Sequence, residues 1–173
     1  MESIITALNI PKQQFQALEK GKMGVLINNS QNKLRIRKIQ VRKAAQAILN
    51  ALDCPKGELS ILIEDDDGIT GLNEKYLQRK GPANVISFPL RDVNFPEIEH
   101  DLLGDVVISA ETTQREGNSL GTGFDKRFAE LLIHGILHLF GYDHEKSEQE
   151  ADEMEIKASK LLKIIENSSF TFS

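Results

Sequence analysis

Three of the chain's four histidines lie within eleven residues, in the segment His134-Gly-Ile-Leu-His138-Leu-Phe-Gly-Tyr-Asp-His144. On a helix, His134 and His138 are about one turn apart and project from the same face. Gly141 follows where a helix can end and the chain can turn back, because glycine adopts left-handed backbone without a Cβ clash. Three neutral imidazoles suit Zn²⁺ and leave a fourth position for water. The spacing therefore predicts a catalytic zinc site held by His134, His138 and His144.

Such a site predicts hydrolysis, because a zinc-bound water has its pKa lowered to about 7. In metalloproteases with the HExxH motif, a glutamate directly after the first histidine is the general base. Here that position is Gly135, which argues against peptide hydrolysis. Glu130 and Asp143 could each orient a ligand ring through its second nitrogen, or could simply be solvated carboxylates.

Composition is that of a soluble globular protein, with 173 residues, 40% hydrophobic and 27% charged. Cys54 is the single cysteine, which excludes an intramolecular disulfide and a cysteine-rich zinc site. The first residues do not resemble a signal peptide, and no apolar stretch approaches the ~20 residues needed to span a membrane. We therefore expect a cytoplasmic protein with no membrane partner. The net charge of -5 does not by itself indicate a nucleic-acid binder.

The order of apolar patterns predicts a small α+β fold with a four-stranded sheet. We expect an N-terminal appendage over residues 1–23 and a single metal-dependent hydrolase domain over residues 24–173. The apolar segment around His134 predicts a helix buried in the middle of that domain. Residues 65–68, an acidic run, are expected to form a turn, and residues 117–123 a loop. The expected strands cover 24–29, 58–64, 84–88 and 104–109, and the expected helices cover 38–52, the region around 72–77, the stretch from 124 through His138, and 147–165.

Two clusters of basic residues favour an anionic partner. Six positive charges fall within eleven residues, and Arg35, Lys38 and Arg42 would share a face if that segment were helical. Such a surface can attract a phosphate backbone, although charge runs are also common on solvated surfaces. An aromatic content of 6% without tryptophan argues against extensive base stacking. The clusters are Lys33, Arg35, Arg37, Lys38, Arg42 and Lys43, and then Lys75, Arg79 and Lys80.

The histidine segment also resembles the signature His-Gly-x-Leu-His-Leu-x-Gly-Tyr-Asp-His of the YbeY family, with Ile136 and Phe140 at the variable positions. This family comprises bacterial rRNA maturation factors described as metal-dependent endoribonucleases. Further blocks at 72–76, 82–89 and 103–109 are similar to it as well. The first two dozen residues are not covered by the resemblance.

The resemblance implies a zincin-like fold and zinc ligation by His134, His138 and His144. It further implies cleavage of single-stranded RNA, maturation of the 16S rRNA 3′ end and ribosome quality control, with the small ribosomal subunit and its assembly factors as partners. The family commonly has an arginine where this chain has Leu77, and Arg79 is our candidate for its catalytic, phosphate-contacting role.

Asn84 and Ser87 are expected to line the cleft and hold the RNA strand, although both could be ordinary polar residues of a strand edge. Two other functions remain open at this point. One is a zinc hydrolase of a peptide or a small phosphoester, and the other is a non-catalytic ribosome assembly factor whose metal only braces the fold.

Overall fold

The computed structural model describes residues 24–90, 101–144 and 146–173. The appendage expected over residues 1–23 lies outside the described residues, so that domain boundary stays a prediction. The described part contains four strands and five helices, which we number in chain order. They are β1 (Val25–Asn29), α1 (Lys38–Ala51), β2 (Glu58–Glu64), α2 (Asp66–Leu77), β3 (Val85–Pro89), β4 (Leu102–Ser109), α3 (Ala110–Ser119), α4 (Gly123–Leu139) and α5 (Glu148–Asn167).

The four strands form one mixed sheet in the order β1-β2-β4-β3. The first three run parallel, and β3 pairs antiparallel with β4 at the edge of the sheet. Parallel strands are covered on both faces, which explains why β2 is an almost unbroken apolar run between Glu58 and Glu64.

Helices α1 and α4 pack on one face of the sheet and form the larger core, with α5 packed against both of them. Helix α4 is enclosed along most of its length, since Phe128, Leu132 and Ile136 have no exposed surface. The opposite face carries a smaller core under α2. The predicted α+β fold, with a four-stranded sheet and a buried helix that carries the histidines, is confirmed.

The acidic run expected to be a turn is instead the start of α2. Asp65 caps this helix by accepting a hydrogen bond from the Gly68 backbone N–H at 2.8 Å. Asp66 and Asp67 occupy the first turn, where negative side chains interact favourably with the positive end of the helix. The prediction of a turn was wrong because cap residues and turn residues have the same composition.

Helix α3 had no counterpart in the sequence prediction. Its residues are mostly polar, and the expected loop from residue 117 overlaps its last turn. The backbone of Gly117 packs directly on the Gly123 carbonyl at the start of α4, where a Cβ atom would not fit. The backbones of α3 and α4 are therefore in contact at this point. The signal available in the sequence was Ser109, a cap that accepts a hydrogen bond from the Thr112 N–H at 3.0 Å.

The N-terminal turns of helices α2 and α3 are joined by hydrogen bonds in both directions. The Asp66 carboxylate accepts hydrogen bonds from the hydroxyls of Ser109 (2.6 Å) and Thr112 (2.7 Å) and from the Arg115 guanidinium (2.9 Å). In return, the Glu111 carboxylate accepts one from the Asp66 backbone N–H at 2.9 Å. Burial alone would raise the pKa of Asp66, but these donors hold it below its ordinary value.

We therefore expect Asp66→Ala to lower the free energy of unfolding by about 2–3 kcal/mol, because it leaves several donors without their charged acceptor. The stabilisation by Asp66 is present above the carboxyl's unfolded pKa and is lost as pH falls through its lowered folded value. Urea denaturation at pH 7 and pH 3 measures both effects. The matched control is the neighbouring, exposed Asp67→Ala. Equal effects of the two substitutions would contradict a stabilising role for the hydrogen bonds that Asp66 makes with α3.

Candidate metal centre

The chain reverses direction directly after the two helical histidines. Helix α4 ends at Leu139, and Gly141 has φ +87°, the left-handed conformation expected for it. The Gly141 N–H donates to the His138 carbonyl at 3.0 Å, and the Tyr142 N–H donates to the Leu137 carbonyl at 3.2 Å. This pair of bonds is a Schellman ending, and it returns the chain toward the face of α4 that carries the histidines.

The three imidazoles converge as their spacing predicts. One ring nitrogen from each of His134, His138 and His144 lies within 4.8 Å of the others. The Nε2 atoms of His134 and His138 are 3.0 Å apart. Around a tetrahedral zinc with Zn–N bonds of about 2.0–2.1 Å, ligand nitrogens are about 3.3–3.4 Å apart. The donor set and its spacing therefore fit one Zn²⁺, and exposed His144 opens the site to solvent.

The electrostatic surroundings keep His134 neutral. Partial burial, and after it the neighbouring His138, His144 and Arg127, together lower the pKa of its ring to about 4. A neutral imidazole has a free lone pair at physiological pH. His134 is thus in the protonation state that metal ligation requires.

Gly135, the position of the glutamate in HExxH proteases, faces the sheet. A Cβ atom there would lie 2.6 Å from Val106 Cγ1 and 3.1 Å from Val85 Cγ2. The Ser87 hydroxyl donates to the Gly135 carbonyl at 2.9 Å and ties α4 to β3. A glutamate side chain could not be accommodated at this position without moving the helix away from the sheet.

We expect Gly135→Ala to destabilise the protein by about 1–3 kcal/mol, because the added methyl group forces α4 away from β4. Gly71→Ala is a matched control inside α2, where a Cβ would meet nothing within 4 Å. That control should stabilise by up to about 1 kcal/mol, since alanine favours helix more than glycine does. Thermal melts of the two variants should therefore shift in opposite directions. A neutral Gly135→Ala would show that the helix tolerates the shift.

A charged network beside the centre was missed by sequence reasoning. The Arg127 Nε donates to Glu116 at 2.8 Å, and its Nη1 donates to Glu130 at 2.9 Å. Glu116 in turn accepts from the Asn84 amide at 3.2 Å, which links β3, α3 and α4. Glu130, considered above for orienting a ligand ring, thus contacts Arg127. The Arg127–Glu130 spacing was visible in the sequence, but the Glu116 contact depends on α3.

The other predicted site residues lie on β3 and just before it. Asn84 and Ser87 are both half-buried and already hydrogen-bonded within the protein, to Glu116 and to Gly135. Arg79 is exposed and lies beyond the end of α2, because Gln78 has φ +55° and closes the helix. Leu77 is itself 40% exposed.

The sheet, the buried helix and the three converging imidazoles are those of an α+β protein with a candidate metal site. The family model described as Endoribonuclease YbeY matches residues 26–166. This chain belongs to the YbeY family.

None of the helices that the structure describes combines the length and the apolar character that a membrane span requires.

Individual relatives support the same assignment. The chain is 44% identical over 146 residues to Endoribonuclease YbeY of Geobacter sulfurreducens, covering 84% of this chain and 97% of that protein. It is 41% identical over 118 residues to Endoribonuclease YbeY of Aquifex aeolicus, covering 68% and 77%. The solution structure of TM1509 from Thermotoga maritima shares the fold, with a TM-score of 0.61 at 23% identity over 83% of this chain and 90% of that one.

Proposed function

We propose that this protein is a zinc-dependent endoribonuclease that cleaves single-stranded RNA, and that it acts in 16S rRNA 3′-end maturation and ribosome quality control. The convergence of three imidazole nitrogens in a YbeY-family chain carries the proposal. The small ribosomal subunit and its assembly factors would be its partners, and the cytoplasm its location. Gly135 disfavours the peptidase alternative, since the HExxH base is missing.

His134, His138 and His144 would hold the zinc ion, which when bound would polarise a phosphate oxygen of the substrate and make hydroxide available at neutral pH. His134 stays neutral, and both His134 and His138 are half-buried on one helix, while the exposed His144 would leave the site open to an RNA strand. The Ser87–Gly135 hydrogen bond fixes the distance between α4 and β3 and therefore the position of the histidine-bearing helix on the sheet.

Asn84 and Ser87 are proposed to contact the RNA strand along β3. Ser87 uses its hydroxyl hydrogen on Gly135, so its oxygen can still accept a hydrogen bond from a ribose 2′-hydroxyl. The side-chain amide nitrogen of Asn84 donates to Glu116, and its side-chain oxygen accepts from the Val85 backbone N–H. Asn84 would therefore contact RNA through the second N–H of its side-chain nitrogen or the second lone pair of its side-chain oxygen.

Cleavage assays on an RNA in single-stranded and duplex form, and on a protein substrate, test the proposed activity. Purified protein should cut a single-stranded RNA, spare the same RNA in a duplex, and leave a denatured protein substrate intact. Cleavage of the protein substrate with RNA untouched would support the peptidase alternative. Binding of small ribosomal subunits without cleavage of any substrate would support the assembly-factor alternative.

Arg79 is proposed to contact the scissile phosphate in place of the family arginine absent at Leu77. Arg79→Ala should lower kcat/KM by about 10–100-fold, the range expected for losing a charge-assisted hydrogen bond. Lys80→Ala, which removes the exposed neighbouring charge, is the matched control. If Arg79→Ala is silent while Leu77→Arg raises the rate, the position of Leu77 is the relevant one and Arg79 has no catalytic role.

A further inference from the structure

A run of basic residues lies at and around the start of α1. Residues 30–52 contain six basic residues and no acidic one, in a chain whose net charge is -5. Lys33 forms ion pairs with Glu111 at 2.9 Å and Asp65 at 3.8 Å, so its charge is already compensated. The other five are exposed, and we name them the α1 basic surface: Arg35, Arg37, Lys38, Arg42 and Lys43.

No carboxylate of the described residues contacts any of these five side chains. None of them forms an ion pair there, and the Arg37 guanidinium donates to the neutral Thr171 hydroxyl at 2.9 Å. The sequence suggested that Arg35 would share a helical face with Lys38 and Arg42 if this segment were helical. Because α1 begins at Lys38, Arg35 precedes the helix and is not part of that face. Ile39, 68% exposed, adds an apolar side chain between these charges.

The arrangement is unfavourable for the isolated protein. Cations at a helix N-terminus oppose the positive end of the helix dipole, and α1 has neither an acidic residue in its first turn nor a side-chain cap. By contrast, α2, α3 and α5 each have both features. The charges of α1 repel one another and the helix end, and a polyanion would relieve both effects.

We propose that the α1 basic surface binds the phosphodiester backbone of RNA outside the segment that is cut. This inference rests on the RNA-cleaving function proposed above. Helices α1 and α4 pack in the same layer on one face of the sheet, so a sufficiently long RNA can contact this surface and the metal centre together. Side chains of this kind contact phosphates and carry little sequence information. The surface thus adds affinity for long substrates without selecting the cleavage position.

Two triple variants with the same net charge test the proposal. One is Lys38→Gln/Arg42→Gln/Lys43→Gln on the surface, and the other is Lys56→Gln/Lys160→Gln/Lys163→Gln elsewhere. Binding is measured on chelator-treated protein with a single-stranded RNA of roughly 40 nucleotides, and cleavage on one of roughly 6 nucleotides, a length near the lower range of single-strand sites.

The surface variant should bind the long RNA at least tenfold more weakly at low salt. Its slope of log affinity against log salt should fall by about 2, since each lost phosphate contact contributes about 0.7. It should cut the short RNA at the unchanged rate and melt at the same temperature or higher, because repulsion has been removed. The control variant should match the unsubstituted protein in all four measurements.

Unchanged affinity and slope in the surface variant would overturn the proposal, and so would equal losses in both variants, which would indicate net charge alone. A slower cut of the short RNA would also overturn it by placing the surface within the active site. Loss of binding to phosphatidylserine vesicles with RNA affinity intact would assign the surface to membranes instead. Failure of the unsubstituted protein to cut both the short and the long RNA would remove the proposed function, yet the binding result would still be read separately.

Discussion

His138→Ala is expected to lower cleavage of single-stranded RNA by well over 100-fold and to release the bound metal. Losing a group that merely orients a metal ligand typically costs about 10–100-fold, so losing the ligand itself should cost more. His138 is the central ligand in the sequence, with its Nε2 3.0 Å from that of His134. Metal content and RNA cleavage should be measured on the same preparation.

The matched control for this substitution is His100→Ala, which removes the chain's histidine outside the 134–144 segment. The control should retain both metal and activity. If His138→Ala loses its metal yet cuts RNA at the original rate, the metal only braces the fold and the catalytic account is wrong. If both variants lose metal equally, the ligand assignment is wrong.

Asp105→Asn is expected to raise the free energy of unfolding at pH 7.5 by about 1–3 kcal/mol. Asp105 lies on β4 with 1% of its surface exposed, and neither carboxylate oxygen has a hydrogen-bond partner among the described residues. Burial raises the pKa of this carboxyl to about 6 from 3.8. The Ser60 hydroxyl on the adjacent strand favours the charged form, but it does not reach hydrogen-bonding geometry, so burial prevails.

The pH dependence of this effect has a definite sign. Between pH 3.8 and about 6, the folded protein keeps a proton on Asp105 that the unfolded chain releases. This contribution to stability therefore falls as pH rises through that window, and the penalty is complete above it. Asp105→Asn should be nearly neutral at pH 4 and stabilising at pH 7.5. The exposed Asp67→Asn is the control, and a destabilised Asp105→Asn at pH 7.5 would show that the carboxylate has a partner.

The sequence pattern predicted the cluster of three imidazoles because its signals are local. His134 and His138 are on one helical face whatever the rest of the fold does, and Gly141 determines where the chain turns back. The segment 58–64 was also placed correctly as β2, since an apolar run between two glutamates has few other interpretations. These predictions depended on residues close together in the chain.

The contacts that surround the centre depend on tertiary structure and could not be predicted in the same way. The close packing that leaves no room for a side chain at Gly135 involves Val106 and Val85, which are distant in sequence. Arg127 is positioned by Glu116 of helix α3, which the sequence did not predict. The acidic start of α2 was mistaken for a turn, because its partners Ser109 and Thr112 are more than forty residues away. Whether Arg79, Asn84 and Ser87 contact RNA stays a prediction.

Stepwise return of zinc to the metal-free protein tests the central claim most directly. Our account predicts that chelation abolishes cleavage of single-stranded RNA and that activity then rises in proportion to added zinc, reaching its maximum at one ion per chain. Full cleavage by protein shown to contain no metal would contradict it.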